Sequence, residues 1–358
     1  MTQQLTLAEQ LALQIRSTGP MSVATYMGLC LTHPTRGYYR GADPLGAGGD
    51  FITAPEISQM FGEIIGFHLV NLWQQLGEPK AFTLLELGPG RGTLMADMLR
   101  VACRAPGFGD GLQLRLFETS PGLMAAQQQR LAAYAPQWQQ NFEDFPDGPL
   151  LVVANEFFDA LPIRQFVRRP DGWHERLVGL VDDKFAFGLS PTPLPPETMP
   201  EALAAAAPDS LYEAGIAGTE LMTRLARTVA GHGGSMLVID YGYATTQTGE
   251  TLQGVRRHAY ADVLDAPGET DLSAHVDFGA LGEAARRTGL VTPTLVTQGH
   301  FLSSLGIGER AATLARANPD AATEVEAAHR RLVDEAQMGR LFKVFCAHSP
   351  GLAPAGFA

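Results

Sequence analysis

The short, largely apolar run Phe82–Leu87 opens directly into Gly88-Pro89-Gly90-Arg91-Gly92, and a helix-patterned stretch follows from Thr93 to Val101. Three glycines in five residues let the backbone turn tightly and let a ligand approach where a Cβ would obstruct it. The helix start behind them leaves N–H groups with no partner inside the helix. A buried strand feeding such a turn is a building unit of parallel α/β sheets, so the chain is expected to fold around a doubly wound, Rossmann-like sheet. Further strands are expected at Leu112–Glu118, near Gln139–Phe142, and at Pro149–Glu156, Gly234–Gly242, Thr292–Thr297 and Leu341–Ala347. With Phe82–Leu87 these make seven. Helices are expected between them at Pro121–Tyr134, Val276–Thr288 and across Glu309–Gln337.

Two features interrupt this alternation. Helical spacing over Leu5–Ile15, Ser22–Leu31 and Glu56–Leu76 predicts a helical N-terminal lobe, with a Gly- and Pro-rich loop from His33 to Ser58 inside it. Between the fourth and fifth strands, Ile163–Val167, Trp173–Val181 and Lys184–Leu189 are separated by turn residues and predict inserted antiparallel strands. Helical stretches are expected after them at Glu201–Ala206 and Thr219–Ala230.

The glycine spacing also bears on the ligand. The loop reads G-x-G-x-G with Glu86 two residues before the first glycine, whereas the dinucleotide loop reads G-x-G-x-x-G without that acid. This favours S-adenosyl-L-methionine (SAM) over a dinucleotide, with Gly88, Gly90, Gly92 and Thr93 around it and Glu86 facing its ammonium group. Glu118, at the end of the second strand, is placed to accept from ribose hydroxyls, a role that a dinucleotide site would share. Glu143 and Asp144 follow the third strand, either near the adenine amino group or in a solvated acidic loop. Asp50, with Phe51 and Thr53, is expected to close a lid over SAM, a loop merely anchored by Phe51 being the plainer alternative.

Ligands in such sheets bind beyond the carboxyl ends of the strands, which singles out Asn155, Glu156, Phe157, Phe158 and Asp159 after the fourth strand. Two carboxylates and an amide can orient a nitrogen nucleophile and take up its proton, as attack on a sulfonium methyl requires. Capping of the next turn is the structural alternative. Asp240, Tyr241 and Tyr243 end the fifth strand on the same rim. His275, between Asp271 and Asp277, could act as a general base near neutral pH or serve only to start a helix.

The 358 residues carry a formal net charge of -12, which argues against a nucleic-acid binder, because those need a basic face to displace counterions. Three widely spaced cysteines form neither a disulfide framework nor a zinc site, so no metal is expected. The N-terminus lacks the pattern of a secretion signal, and no apolar run reaches membrane-spanning length. A cytoplasmic protein without membrane insertion is the expectation, and oligomeric state leaves no trace in the sequence.

The segments HPTRGYY (33–39), GDFITAPEISQMFGE (49–63), LLELGPGRGTLMADML (84–99), NEFFDALPIRQF (155–166), VIDYGY (238–243), TDLSAHVDF (270–278) and MGRLFKVF (338–345) together resemble the MidA family. That resemblance implies a class I SAM-dependent methyltransferase fold with inserted elements. It also implies, by analogy with the family's mitochondrial branch, methylation of an arginine on a protein substrate, a respiratory complex I subunit, in support of complex I assembly. Carried over by motif, Gly88, Gly90 and Gly92 would contact SAM, Glu118 the ribose, and Asn155–Asp159 the acceptor. The chain would divide into a helical lobe and lid loop (1–80), a SAM-binding half (81–160), inserted strands and helices (161–233) and a C-terminal half (234–358). A non-catalytic SAM-binding assembly chaperone and a nucleotide-dependent oxidoreductase are the competing readings.

Overall fold

A computed structural model describes residues 5–40, 53–139, 141–142 and 144–357. Asp50, Phe51 and Glu143 lie outside the described residues. The chain forms two compact units, one built from residues 1–51, 159–220 and 243–280, the other from 52–158, 221–242 and 281–358. Residues 1–51 and 52–80 therefore lie in different units.

The larger unit is organised by a mostly parallel sheet. Its strands are β1 (Phe82–Leu87), β2 (Leu112–Phe117), β3 (Gln137–Trp138), β4 (Leu150–Asn155), β5 (Gly234–Tyr243), β6 (Val296–Thr297) and β7 (Phe342–His348). They run in the order β6-β7-β5-β4-β1-β2-β3, and an eighth short strand joins off this path, where the sequence predicted seven in all. Every residue of β1 and β4 is buried, as expected of strands covered on both faces. β7 runs antiparallel to β5 and β6 antiparallel to β7; the remaining neighbours are parallel. The order reverses beside β1, whose neighbours are β2 and β4, and this switch point is where open α/β sheets leave a crevice for ligands.

On this sheet pack the helices Gln59–Gln75 and Thr93–Ala102, through Phe61, Ile64, Ile65, Leu94, Met95 and Met98. The expected helix Glu56–Leu76 is broken at Ser58, where Ala54–Ile57 ends and the hydroxyl of Ser58 caps the next helix at the Met60 N–H. The expected strand Thr292–Thr297 shrinks to two residues, because Pro293 has no N–H for the ladder.

In the smaller unit, the helices Leu7–Thr18 and Val23–Thr32 bury Leu7, Leu11, Ile15, Val23, Tyr26 and Met27 against Ile163 and Val178. A capping box between Thr6 and Glu9 starts the first helix. The inserted strands Arg164–Arg169, Gly172–Val181 and Lys184–Leu189 form the expected antiparallel meander, joined by Met21–Ser22 and Leu211–Ala214 into a five-stranded sheet. The expected helix Glu201–Ala206 is a single 3-10 turn, Glu201–Leu203. A further three-stranded sheet, Gln253–Arg256, Ala259–Ala261 and Asp271–Ser273, has no counterpart in the sequence reading.

Candidate functional site

The loop after β1 adopts the conformations its glycines allow. Gly88, Gly90 and Gly92 have φ of +61°, +52° and +77°, a region that costs other residues energy. Gly88 donates its N–H to the Phe117 carbonyl at the end of β2, at 3.0 Å. A Cβ on Gly88 would stand 2.8 Å from Cδ2 of Phe157, and one on Gly92 would stand 3.3 Å from Leu131. At these two positions the backbone is therefore packed closely by Phe157 and Leu131.

Glu86 is 2% exposed, and its Oε2 has no hydrogen-bond partner among the described residues. Burial pushes its carboxyl up to about 8. A carboxylate held in this way, one residue pair before the glycine turn, is matched to a ligand that brings a positive charge. Its neighbour in the sheet, β4, ends with Asn155, whose Oδ1 is likewise buried and without a partner among the described residues. The orphaned, buried Glu86 carboxyl calls for a ligand that brings a donor and a positive charge, and SAM, with its ammonium group, fits that demand.

At the end of β2, Glu118 is held at both oxygens. Oε1 accepts from the N–H groups of Thr119 and Ser120 at 2.7 and 2.8 Å, and Oε2 from Nε2 of Gln127 at 3.2 Å. Thr93 begins the helix behind the loop, and its hydroxyl donates to Glu56 at 2.7 Å while accepting from Arg130. Asp144 is exposed and closes its own turn, accepting from Nδ2 of Asn141 at 3.0 Å.

Glu156 follows β4 with φ of +50°, a left-handed conformation rare outside glycine and asparagine. Its N–H donates to the Ile239 carbonyl at 2.9 Å, and its Oε1 accepts from Nδ2 of Asn155 at 3.1 Å and from the Ala54 N–H at 3.4 Å. Asp240, fully buried at the end of β5, accepts from the N–H of Phe158 and of Tyr241, both at 3.0 Å. This carboxylate pins the turn after β4 to β5, a role the sequence reading left open.

Glu86, the three glycines, Thr93, Glu118, Asn155 and Glu156 thus belong to one rim of the larger unit. Asp159 and His275 belong to the smaller unit. There the Ala274 N–H donates to the Asp159 carbonyl at 3.0 Å, and the His275 N–H donates to the Thr251 hydroxyl at 2.9 Å. Asp277 accepts from the Thr246 hydroxyl and the Ala280 N–H, and burial raises its carboxyl above the usual range. Gln127 went unnoticed in the sequence because it is a common polar residue, and only its burial shows its purpose.

The sequence matches a family of S-adenosyl-L-methionine-dependent methyltransferases over residues 64–296. The mitochondrial protein arginine methyltransferase NDUFAF7 of Danio rerio is 36% identical over 366 residues, covering 94% of this chain and 85% of that one. NDUFAF7 of Homo sapiens is 36% identical over 367 residues, covering 93% and 81%. A crystal structure of a Burkholderia thailandensis protein bound to S-adenosyl-homocysteine has a TM-score of 0.85 at 27% identity, covering 98% of this chain and 93% of that one. The cofactor is therefore SAM and not a dinucleotide. The relatives are mitochondrial proteins, which overturns the expectation of a cytoplasmic one: that expectation came from the residues at the start of the chain, which do not settle a protein's address. With the glycine loop, the strand order and these relatives in agreement, the chain belongs to the MidA-like family of SAM-dependent methyltransferases.

Proposed function

We propose that the protein transfers a methyl group from SAM to an arginine side chain of a protein substrate, and that this substrate is a subunit of respiratory complex I, modified in support of the complex's assembly. The single observation that carries the acceptor reading is the pairing of Asn155 and Glu156 at the end of β4, next to the cofactor loop, with the Asn155 Oδ1 buried and without a partner among the described residues. The names of the curated relatives support it.

When bound, SAM supplies a methyl group on a sulfonium centre, with a neutral thioether as leaving group. Glu86 holds the ammonium group, the glycine backbone admits the methionine portion, and Glu118 accepts from the ribose hydroxyls. A guanidinium is planar, rich in donors and protonated at any physiological pH, with a pKa above ~12. Asn155 Oδ1 and the Glu156 carboxylate accept from its N–H groups and turn one nitrogen toward the methyl. As the N–C bond forms and the C–S bond breaks, the nitrogen sheds a proton, which Glu156 accepts and passes to solvent.

The test is to incubate the protein with methyl-labelled SAM and arginine-containing protein substrates and to locate the label by mass spectrometry. Label on a guanidinium nitrogen, reduced roughly 100-fold or more in kcat by Glu156→Gln, is the expected result. Glutamine can still accept from Asn155 and Ala54, so the variant keeps its fold. Label on another atom, or none from a protein that binds SAM, would end the arginine reading. Loss of a methylarginine from a complex I subunit when the gene is deleted would identify the acceptor.

A further inference from the structure

The helix Pro121–Arg130 turns Leu123 and Gln127 inward, with Leu131 buried just beyond its end. A glutamine thus occupies a place in an apolar stripe, fully buried, while Gln128 and Gln129 beside it are exposed. Burying an amide is unfavourable unless every donor and acceptor is satisfied. Here every one is. Oε1 accepts from the indole Nε1 of Trp138 at 2.7 Å, and Nε2 donates to the Gly90 carbonyl at 2.7 Å and to Oε2 of Glu118 at 3.2 Å.

The orientation of this amide is fixed by chemistry. An indole N–H only donates, so it selects the amide oxygen, which leaves both amide hydrogens for a carbonyl and a carboxylate that only accept. One side chain therefore ties together the glycine loop, the acid after β2, and β3. We infer that Gln127 is a positioning residue for SAM: it sets the Glu118 carboxylate and the Gly90 peptide in the geometry the ribose requires, with Trp138 fixing the direction of its amide. The inference rests on the placement of the ribose at Glu118.

Calorimetry with S-adenosylhomocysteine, and with its analogue lacking the ribose 2′-hydroxyl, tests it. The wild-type protein should prefer the intact ribose by about tenfold or more, the size expected for a hydrogen bond to a charged group. Gln127→Leu should lose roughly tenfold in affinity for S-adenosylhomocysteine and most of that preference, with the loss in turnover falling mainly on KM for SAM. Equal losses for both ligands, with the preference intact, would reduce Gln127 to a packing element and overturn the inference. No preference in the wild type would instead overturn the ribose placement itself, and the inference with it. If Gln127→Leu does not fold, Trp138→Phe keeps an aromatic ring while removing the donor that orients the amide. It should shrink the preference by a smaller factor, and an unchanged preference would again overturn the role.

Discussion

Burial lifts the Glu86 carboxyl to about 8, so in the protein without SAM it carries a proton at neutral pH. The unfolded chain releases that proton in the ordinary carboxylate range, so the folded protein binds more protons between the two. Its stability contribution is complete at low pH and is lost as pH climbs through about 8. Glu86→Gln, which cannot ionise, should escape this loss and melt at a higher temperature than wild type at alkaline pH, as calorimetric scans would show. The same variant should bind SAM more than about tenfold more weakly, because an amide replaces the charge that faces the ammonium. Pairing with that ammonium favours the ionised carboxyl, so SAM binding at neutral pH should release a proton in wild type and none in the variant. Titrations in buffers of different ionisation enthalpy measure this directly.

Among the elements, the turn after β1 is poorly able to accept a side chain at its first glycine. Gly88→Ala combines a left-handed backbone, at a cost of about 1–2 kcal/mol, with a Cβ set against Phe157. Urea unfolding should register that loss of stability, and SAM binding should weaken further because relief requires the loop or Phe157 to move. This turn was legible in the sequence, as were β1, β2, β4, β5 and β7, because apolar or alternating runs of six residues or more leave few alternatives. β3 was misplaced and β6 was drawn too long, because two-residue strands have no period to read. The sheet around Gln253–Arg256 was missed for a different reason. Its hairpin turns through Arg257 and His258, at φ of +54° and +62°, where the usual glycine or asparagine signal is absent. At the site, Glu86 and the three glycines stood out by their spacing, but Gln127 sits in a run of three glutamines, and nothing local separates the buried one from its neighbours. Glu156 was recognisable as an acid at a strand end; its left-handed backbone was not.

Over the whole molecule, a formal charge of -12 faces a proposed acceptor that is cationic. Raising the salt concentration shortens the screening length from about 10 Å at 0.1 M, so KM for a basic arginine peptide should climb with ionic strength while kcat holds. Steady-state kinetics across a salt series checks this, and an unchanged KM would confine recognition to short-range contacts. SAM at about 100 times its Kd should add roughly 2.7 kcal/mol to unfolding, readable as a higher melting temperature. The order in which the chain visits its two units has a further consequence for biosynthesis. The larger unit is left at Phe158, resumed at Leu221, left again at Gly242 and resumed at Leu281. Its buried central strand β5 is paired along one edge by Phe342–His348, which lies beyond the whole stretch 244–341 in sequence. A nascent chain on the ribosome therefore carries an open, apolar β edge until Phe342–His348 has been made. Premature stop codons between residues 281 and 341 should yield aggregating polypeptide and not a shortened enzyme.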